Sequence, residues 1–94
     1  MAVIVTLTTD WGARDHYAGI VKGMLLSRLP DANVVDITHQ VAPFNVKQAS
    51  FILRNAFPYF PKGTIHIVGI NTEDSEKTPH VAMEYKGQYF IGAD

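Results

Sequence analysis

The 94-residue sequence carries eight Lys and Arg against nine Asp and Glu, a formal net charge of −1, and no cysteine. That size fits one small domain with a real core and leaves no room for a second. The near-neutral balance gives no nucleic-acid footprint and no polybasic membrane patch, and the missing cysteines exclude disulfides and thiolate zinc sites. No apolar run reaches the roughly 18 residues a membrane helix needs. The opening MAVIVTLTTD has no basic stretch ahead of its apolar run, so it does not read as a signal peptide. The expected setting is cytoplasmic, with no membrane and no nucleic-acid partner.

Val3 to Thr8, VIVTLT, is rich in β-branched residues and reads as a buried strand. The loop TDWGARD follows. Tyr17, Ile20, Val21, Met24 and Leu25 then recur at helical spacing and predict an amphipathic helix over residues 16–29, with Asp15 as its N-cap and Pro30 beyond its end. Asn33 to Ile37 predicts a short second strand. Asn45 caps a second helix with Gln48 as capping-box partner, and Val46, Ala49, Ile52, Leu53 and Ala56 form its apolar stripe. FPYFPKG ends that helix, and Thr64 to Ile70 gives a third strand. After the polar loop NTEDSEKTP, His80 to Tyr85 and Gln88 to Gly92 predict a hairpin turning at Lys86-Gly87.

This order predicts an α/β fold: a mostly parallel sheet with flanking helices and a C-terminal β-hairpin, part of a three-layer α/β/α domain. Strand order is not fixed by the pattern. GQYFIGAD stops on a strand-like run, and the expectation is that the chain is a fragment of something longer.

Ligands of open parallel sheets collect beyond the carboxyl ends of the strands. Three loops leave such ends: Thr9 to Asp15, Thr38 to Phe44 and Asn71 to Pro79. They converge if their strands are neighbours. Asp10 stands directly after the first strand, where its carboxylate could accept two hydrogen bonds from a vicinal diol such as ribose presents. The alternative is that Asp10 and Asp15 only satisfy backbone donors at the turn. Asp15 is a cap or a binder of an ammonium group. Trp11 is more often a packing residue than a stacking platform. His39 is a candidate general base, with a structural role weighing more. Phe44 offers a flat face to a purine or staples the second helix. The run Asn71, Glu73, Asp74, Glu76, Lys77 reads as a solvated turn. His16, His39, His66 and His80 lack metal-ligand spacing, and within strands His66 and His80 read as satisfied side chains. Neither GxGxxG, GxxxxGK[ST] nor GxSxG occurs.

Taken in order, TLTTDWGARDHYAGIVKGML, VVDITHQVAPFNVKQASFIL, FPKGTIHIV and YFIGAD resemble the S-adenosylmethionine (SAM) hydroxide adenosyltransferase family, related to the SAM-dependent fluorinases and chlorinases. The resemblance implies that residues 1–94 are part of the N-terminal SAM-binding domain, with a C-terminal β-barrel lying outside this chain. It implies an enzyme that delivers water, or in the halogenase branch a halide, to the ribose C5′ of SAM, with SAM as substrate and no separate cofactor or metal. It also implies a homotrimer with the site between subunits. Carried over by position, Asp10 matches the carboxylate on the ribose hydroxyls, Asp15 the acidic residue near the methionine amine, and Phe44 an aromatic of the nucleoside pocket. Trp11 flanks them. The hydroxide branch usually has Asp-Pro-Gly-Val-Gly and then arginine after the third strand, with a catalytic histidine further on. Here INTEDSEKT stands instead, with Asn71 at the aspartate position and no arginine, and the histidine would lie beyond Asp94. An amide cannot take a proton as a carboxylate can, though it can orient water, so Asn71 is a weak catalytic candidate, with Glu73 or Asp74 as substitutes. The expected function is SAM hydrolysis by the parent protein; the alternatives are a non-catalytic SAM or adenosine binder, or a halogenase.

Overall fold

The computed structural model describes residues 3–12, 16–42, 45–70 and 80–93. Its elements are β1 (Ile4–Thr9), α1 (Tyr17–Arg28), β2 (Asn33–Thr38), α2 (Val46–Ala56), a 3-10 turn (Phe57–Tyr59), β3 (Ile65–Gly69), β4 (His80–Tyr85) and β5 (Gln88–Ala93). The five strands form one sheet in the order β2-β1-β3-β5-β4. β1 pairs in parallel with β2 and β3, β3 in parallel with β5, and β4 antiparallel with β5. This is the mixed α/β sheet the alternation predicts. The hairpin does not simply extend the edge: β5 inserts beside β3, and β4 becomes the outer strand.

The pleat divides the sheet into two faces. Thr6 registers with His66, and His66 with Phe90, so these share one face. Leu7 registers with Asp36 and Ile67 on the other. α2 and the 3-10 turn lie over the first face, where Leu53 and Phe57 meet Val68 and Phe90 around a groove. α1 lies over the second, where Lys22 reaches Asp36.

β1 is the centre of the core. Val5 and Leu7 are buried, as are Thr6, Thr8 and Thr9, with Ala49 and Leu53 of α2 and Val41 beside them. Buried threonines need partners. Thr6 and Thr9 have them in two histidines, whereas the Thr8 hydroxyl has none among the described residues.

His66 is completely buried. The Gln88 amide nitrogen donates to the carbonyls of Phe57 (3.0 Å) and Phe60 (3.1 Å), which fixes its Oε1 as the acceptor for His66 Nε2–H at 2.6 Å. Nδ1 is then the acceptor for the Thr6 hydroxyl, also at 2.6 Å. Stacked on Phe90 and edge-on to Phe60, the ring stitches β1, β3, β5 and the 3-10 turn together. The satisfied role expected of it is the one observed. Burial pushes its pKa below the ordinary 6.5, only partly opposed by the bond to Gln88.

Local signals hold in α2 and the hairpin. Asn45 accepts the Gln48 N–H at 2.9 Å, the expected cap. The reciprocal half of the capping box differs, because Gln48 Oε1 accepts from Ala42 N–H at 2.7 Å instead. Lys86 (φ 53) and Gly87 (φ 82) both adopt the left-handed conformation of a tight two-residue hairpin turn.

α1 departs from expectation. Its cap position is His16, without a side-chain cap bond, and Asp15 lies outside the described residues. None of its residues is buried: Tyr17, Ile20 and Met24 are exposed, while Val21 and Leu25 are half-buried. Its apolar stripe is wider than the sheet surface it covers here. Val46, expected in the α2 stripe, is exposed as well.

Candidate functional site

β1 is followed in the chain by β2 on one side and in space by β3 on the other. In chain order β1 leads to β2 on one side and β3 leads to the β5-β4 side, which makes the carboxyl ends of β1 and β3 the switch point where open α/β sheets bind ligands. Asp10 stands at that point. Its backbone N–H donates to Gly69 O at 3.3 Å, which ties it to the last residue of β3, and it is only partly buried.

The loops after β1 and β2 converge, as predicted for neighbouring strands. Gly12 N–H donates to His39 O at 2.6 Å, and Val41 N–H to Thr9 O at 3.1 Å. Gly12 makes its turn at φ 75, a left-handed conformation that favours glycine. Phe44, Asp15 and Asn71 lie outside the described residues, as do Glu73, Asp74 and the rest of the loop after β3. Of the predicted site residues, the structure therefore places Asp10 and Trp11.

Trp11 packs. Its indole stacks on His39 with centroids 5.6 Å apart and planes 13° apart, meets Tyr17 edge-on at 4.9 Å, and lies against Gly69. Its backbone N–H donates to Thr9 Oγ1 at 3.2 Å.

Beneath it runs a polar chain that joins three elements. Thr9 Oγ1 lies 2.5 Å from His39 Nδ1, His39 Nε2 lies 2.8 Å from Asp36 Oδ1, and Lys22 Nζ lies 2.5 Å from Asp36 Oδ2. Burial pushes the Asp36 carboxyl up, but the hydrogen bonds and charges of Lys22 and His39 outweigh it and hold the group below the usual carboxylate value. The sequence offered His39 as a candidate after the second strand; its partner Asp36 lies within β2. Lys22 was missed, because its pairing with Asp36 joins α1 to β2 across the crossover between them.

A separate groove of about 780 Å³ lies on the opposite face, lined by Leu53, Phe57, Val68, Met83, Tyr85 and Phe90, with Arg54 and Lys86 as its charged residues. It holds no carboxylate for a sugar, so the switch point beside Asp10 is the candidate site. Among the described residues, no cluster of three or more His, Asp or Glu is placed to hold a metal, and no helix is long and apolar enough to cross a membrane.

An open, mostly parallel sheet with helices on both faces defines the class: an α/β domain of the doubly wound type. Residues 5–94 match the SAM hydroxide adenosyltransferase N-terminal domain, and the chain belongs to that family. It is 38% identical over 96 residues to a (R)-S-adenosyl-L-methionine hydrolase of Methanocaldococcus jannaschii, a match covering 97% of this chain and 36% of that protein. A fluorinase of an Actinoplanes species is 26% identical over 83 residues, covering 88% of this chain and 28% of the fluorinase. The crystal structure of an uncharacterized conserved protein from Thermotoga maritima superposes with a TM-score of 0.87 at 37% identity, covering 96% of this chain and 35% of that one. The chain thus spans about a third of the length of such relatives.

Proposed function

We propose that the full-length protein carrying this chain hydrolyses SAM to adenosine and methionine. Water attacks the ribose C5′ in line, the C5′–S bond breaks, its electron pair stays on sulfur as the methionine thioether, and the water proton passes to solvent. The sulfonium is a good leaving group, so catalysis consists of positioning and desolvating the water. The observation that carries this reading is Asp10 at the switch-point lip of a chain whose relatives include named SAM hydrolases.

In this reading Asp10 holds the two ribose hydroxyls, Asp15 the methionine ammonium, Phe44 and Trp11 flank the nucleoside, and Asn71 orients water. SAM is the substrate, with no separate cofactor. The remaining length of the protein supplies a C-terminal β-barrel, and three copies assemble in the cytoplasm with the site between subunits; the isolated 94 residues are inactive. Incubating the full-length protein with SAM and separating the products tests it: adenosine and methionine in equal amounts are expected, and no adenosine above the blank from folded protein contradicts it.

One observation favours a second reading. Asn71 replaces a proton-accepting aspartate, which fits a domain that binds SAM or adenosine without turnover. Calorimetric binding without product would select it. The fluorinase relative makes halide the other nucleophile to test, with a 5′-halogenated nucleoside as its product.

A further inference from the structure

Thr9, His39 and Asp36 line up as a hydroxyl, an imidazole and a carboxylate, the order of a nucleophilic chain. Thr9 cannot serve as the nucleophile, because it is fully buried and its oxygen already accepts the Trp11 N–H. With Nε2–H donating to Asp36, Nδ1 is left to accept the Thr9 O–H. The chain therefore runs from solvent-facing Lys22 and Asp36 inward to the loop, not outward to a substrate.

What it holds is the segment around Asp10. His39 makes three contacts with that segment: its Nδ1 to the Thr9 hydroxyl, its ring flat on Trp11, and its carbonyl to Gly12 N–H. These residues flank Asp10 on both sides. Asp10 itself is tied to β3 through Gly69 O. Asp36 and Lys22 fix the imidazole from behind, and the His39 side chain is only 11% exposed.

We infer that His39 is a positioning residue that aims the Asp10 carboxylate at the ligand's paired hydroxyls. This inference rests on the ribose role given to Asp10 above. His39 touches no substrate and moves no proton in it.

The test is calorimetric titration of the full-length protein with adenosine and with 2′,3′-dideoxyadenosine, which lacks the diol. His39→Ala is expected to weaken adenosine about tenfold or more and the dideoxy compound by less than about threefold, because a misaimed group loses only the contacts it makes. In an Asp10→Ala background the same change is expected to cost adenosine less than about twofold, since the two residues act through one contact. Comparing two ligands on one variant removes any loss due to a smaller folded fraction. Should His39→Ala fail to fold, Asp36→Asn, which loosens the imidazole from behind, is expected to show the same ligand preference in weaker form. Equal losses for both ligands, no loss in either variant, or full additivity with Asp10→Ala would overturn the inference while leaving the site reading intact. Failure of the wild type to bind adenosine would overturn the site reading and this inference with it.

Discussion

The indole of Trp11 covers Gly69 so closely that a β-carbon on Gly69 would lie 2.7 Å from Trp11 Cζ2. Gly69 ends β3, and Trp11 lies just past the end of the neighbouring β1, at the switch point. The ring cannot slide away freely, because His39 and Tyr17 hold two of its sides. Gly69→Ala is therefore expected to displace Trp11, lower stability by about 1–3 kcal/mol as overpacking does, and weaken nucleoside binding. Thermal unfolding and adenosine titration of the full-length variant read both effects; an unchanged melting temperature would show that the ring yields without cost.

Gln88 offers a second stability test. Its amide supplies two donors to the carbonyls of Phe57 and Phe60 and one acceptor to His66, all in the interior. Gln88→Met keeps the approximate volume and removes all three bonds. Leaving buried polar groups unpaired costs about 1–3 kcal/mol each where water cannot reach them, so a loss of at least about 2 kcal/mol is expected in denaturant titration. A loss within a few tenths would mean that water replaces the amide.

His66 makes stability depend on pH. Its native pKa lies below the ordinary 6.5 because the ring is buried. Between those two values the unfolded chain binds more protons than the native one. The contribution of neutral His66 is thus complete above about pH 6.5 and declines as pH falls toward the native value, with a slope of at most about 1.4 kcal/mol per unit. Comparing melting temperatures of wild type and His66→Phe across pH 7.5 to 4.5 isolates this residue from the other histidines. The variant is expected to lose part of the acid sensitivity; identical slopes would contradict neutral burial.

Asp10 is the test of the site itself. Each charged hydrogen bond from a ribose hydroxyl to the carboxylate is worth roughly 1.5–3 kcal/mol, so losing both in Asp10→Ala should weaken adenosine about 100- to 10,000-fold. Asp10→Asn, which keeps one acceptor, should fall between. Equal affinity for wild type and both variants would remove Asp10 from the ribose.

Much of this was legible in the sequence, for identifiable reasons. Strand boundaries came within a residue because β-branched runs and turn residues mark them: the first strand, expected over 3–8, is Ile4–Thr9 because Thr9 still pairs with Gly69. The Lys86-Gly87 hairpin and the Asn45 cap are local and were read directly. Strand order was not legible, since it is set by long-range pairing. The same limit hid Lys22, whose partner Asp36 is 14 residues away across a crossover, and the link from Thr9 to His39, 30 residues apart. His39 was weighed as a base or a structural residue; its geometry gives it a structural hold on the very loop that carries Asp10. The α1 stripe was legible as a pattern, but not how little of it the described elements would cover.

The central claim concerns the nucleophile, and an isotope reads it most directly. Full-length protein is incubated with SAM in ¹⁸O-water, and the adenosine is analysed by mass spectrometry with fragmentation of the sugar. One heavy oxygen at the 5′ position is the predicted result. Unlabelled adenosine, a 5′-halogenated nucleoside, or unchanged SAM would each contradict hydrolysis by water at C5′.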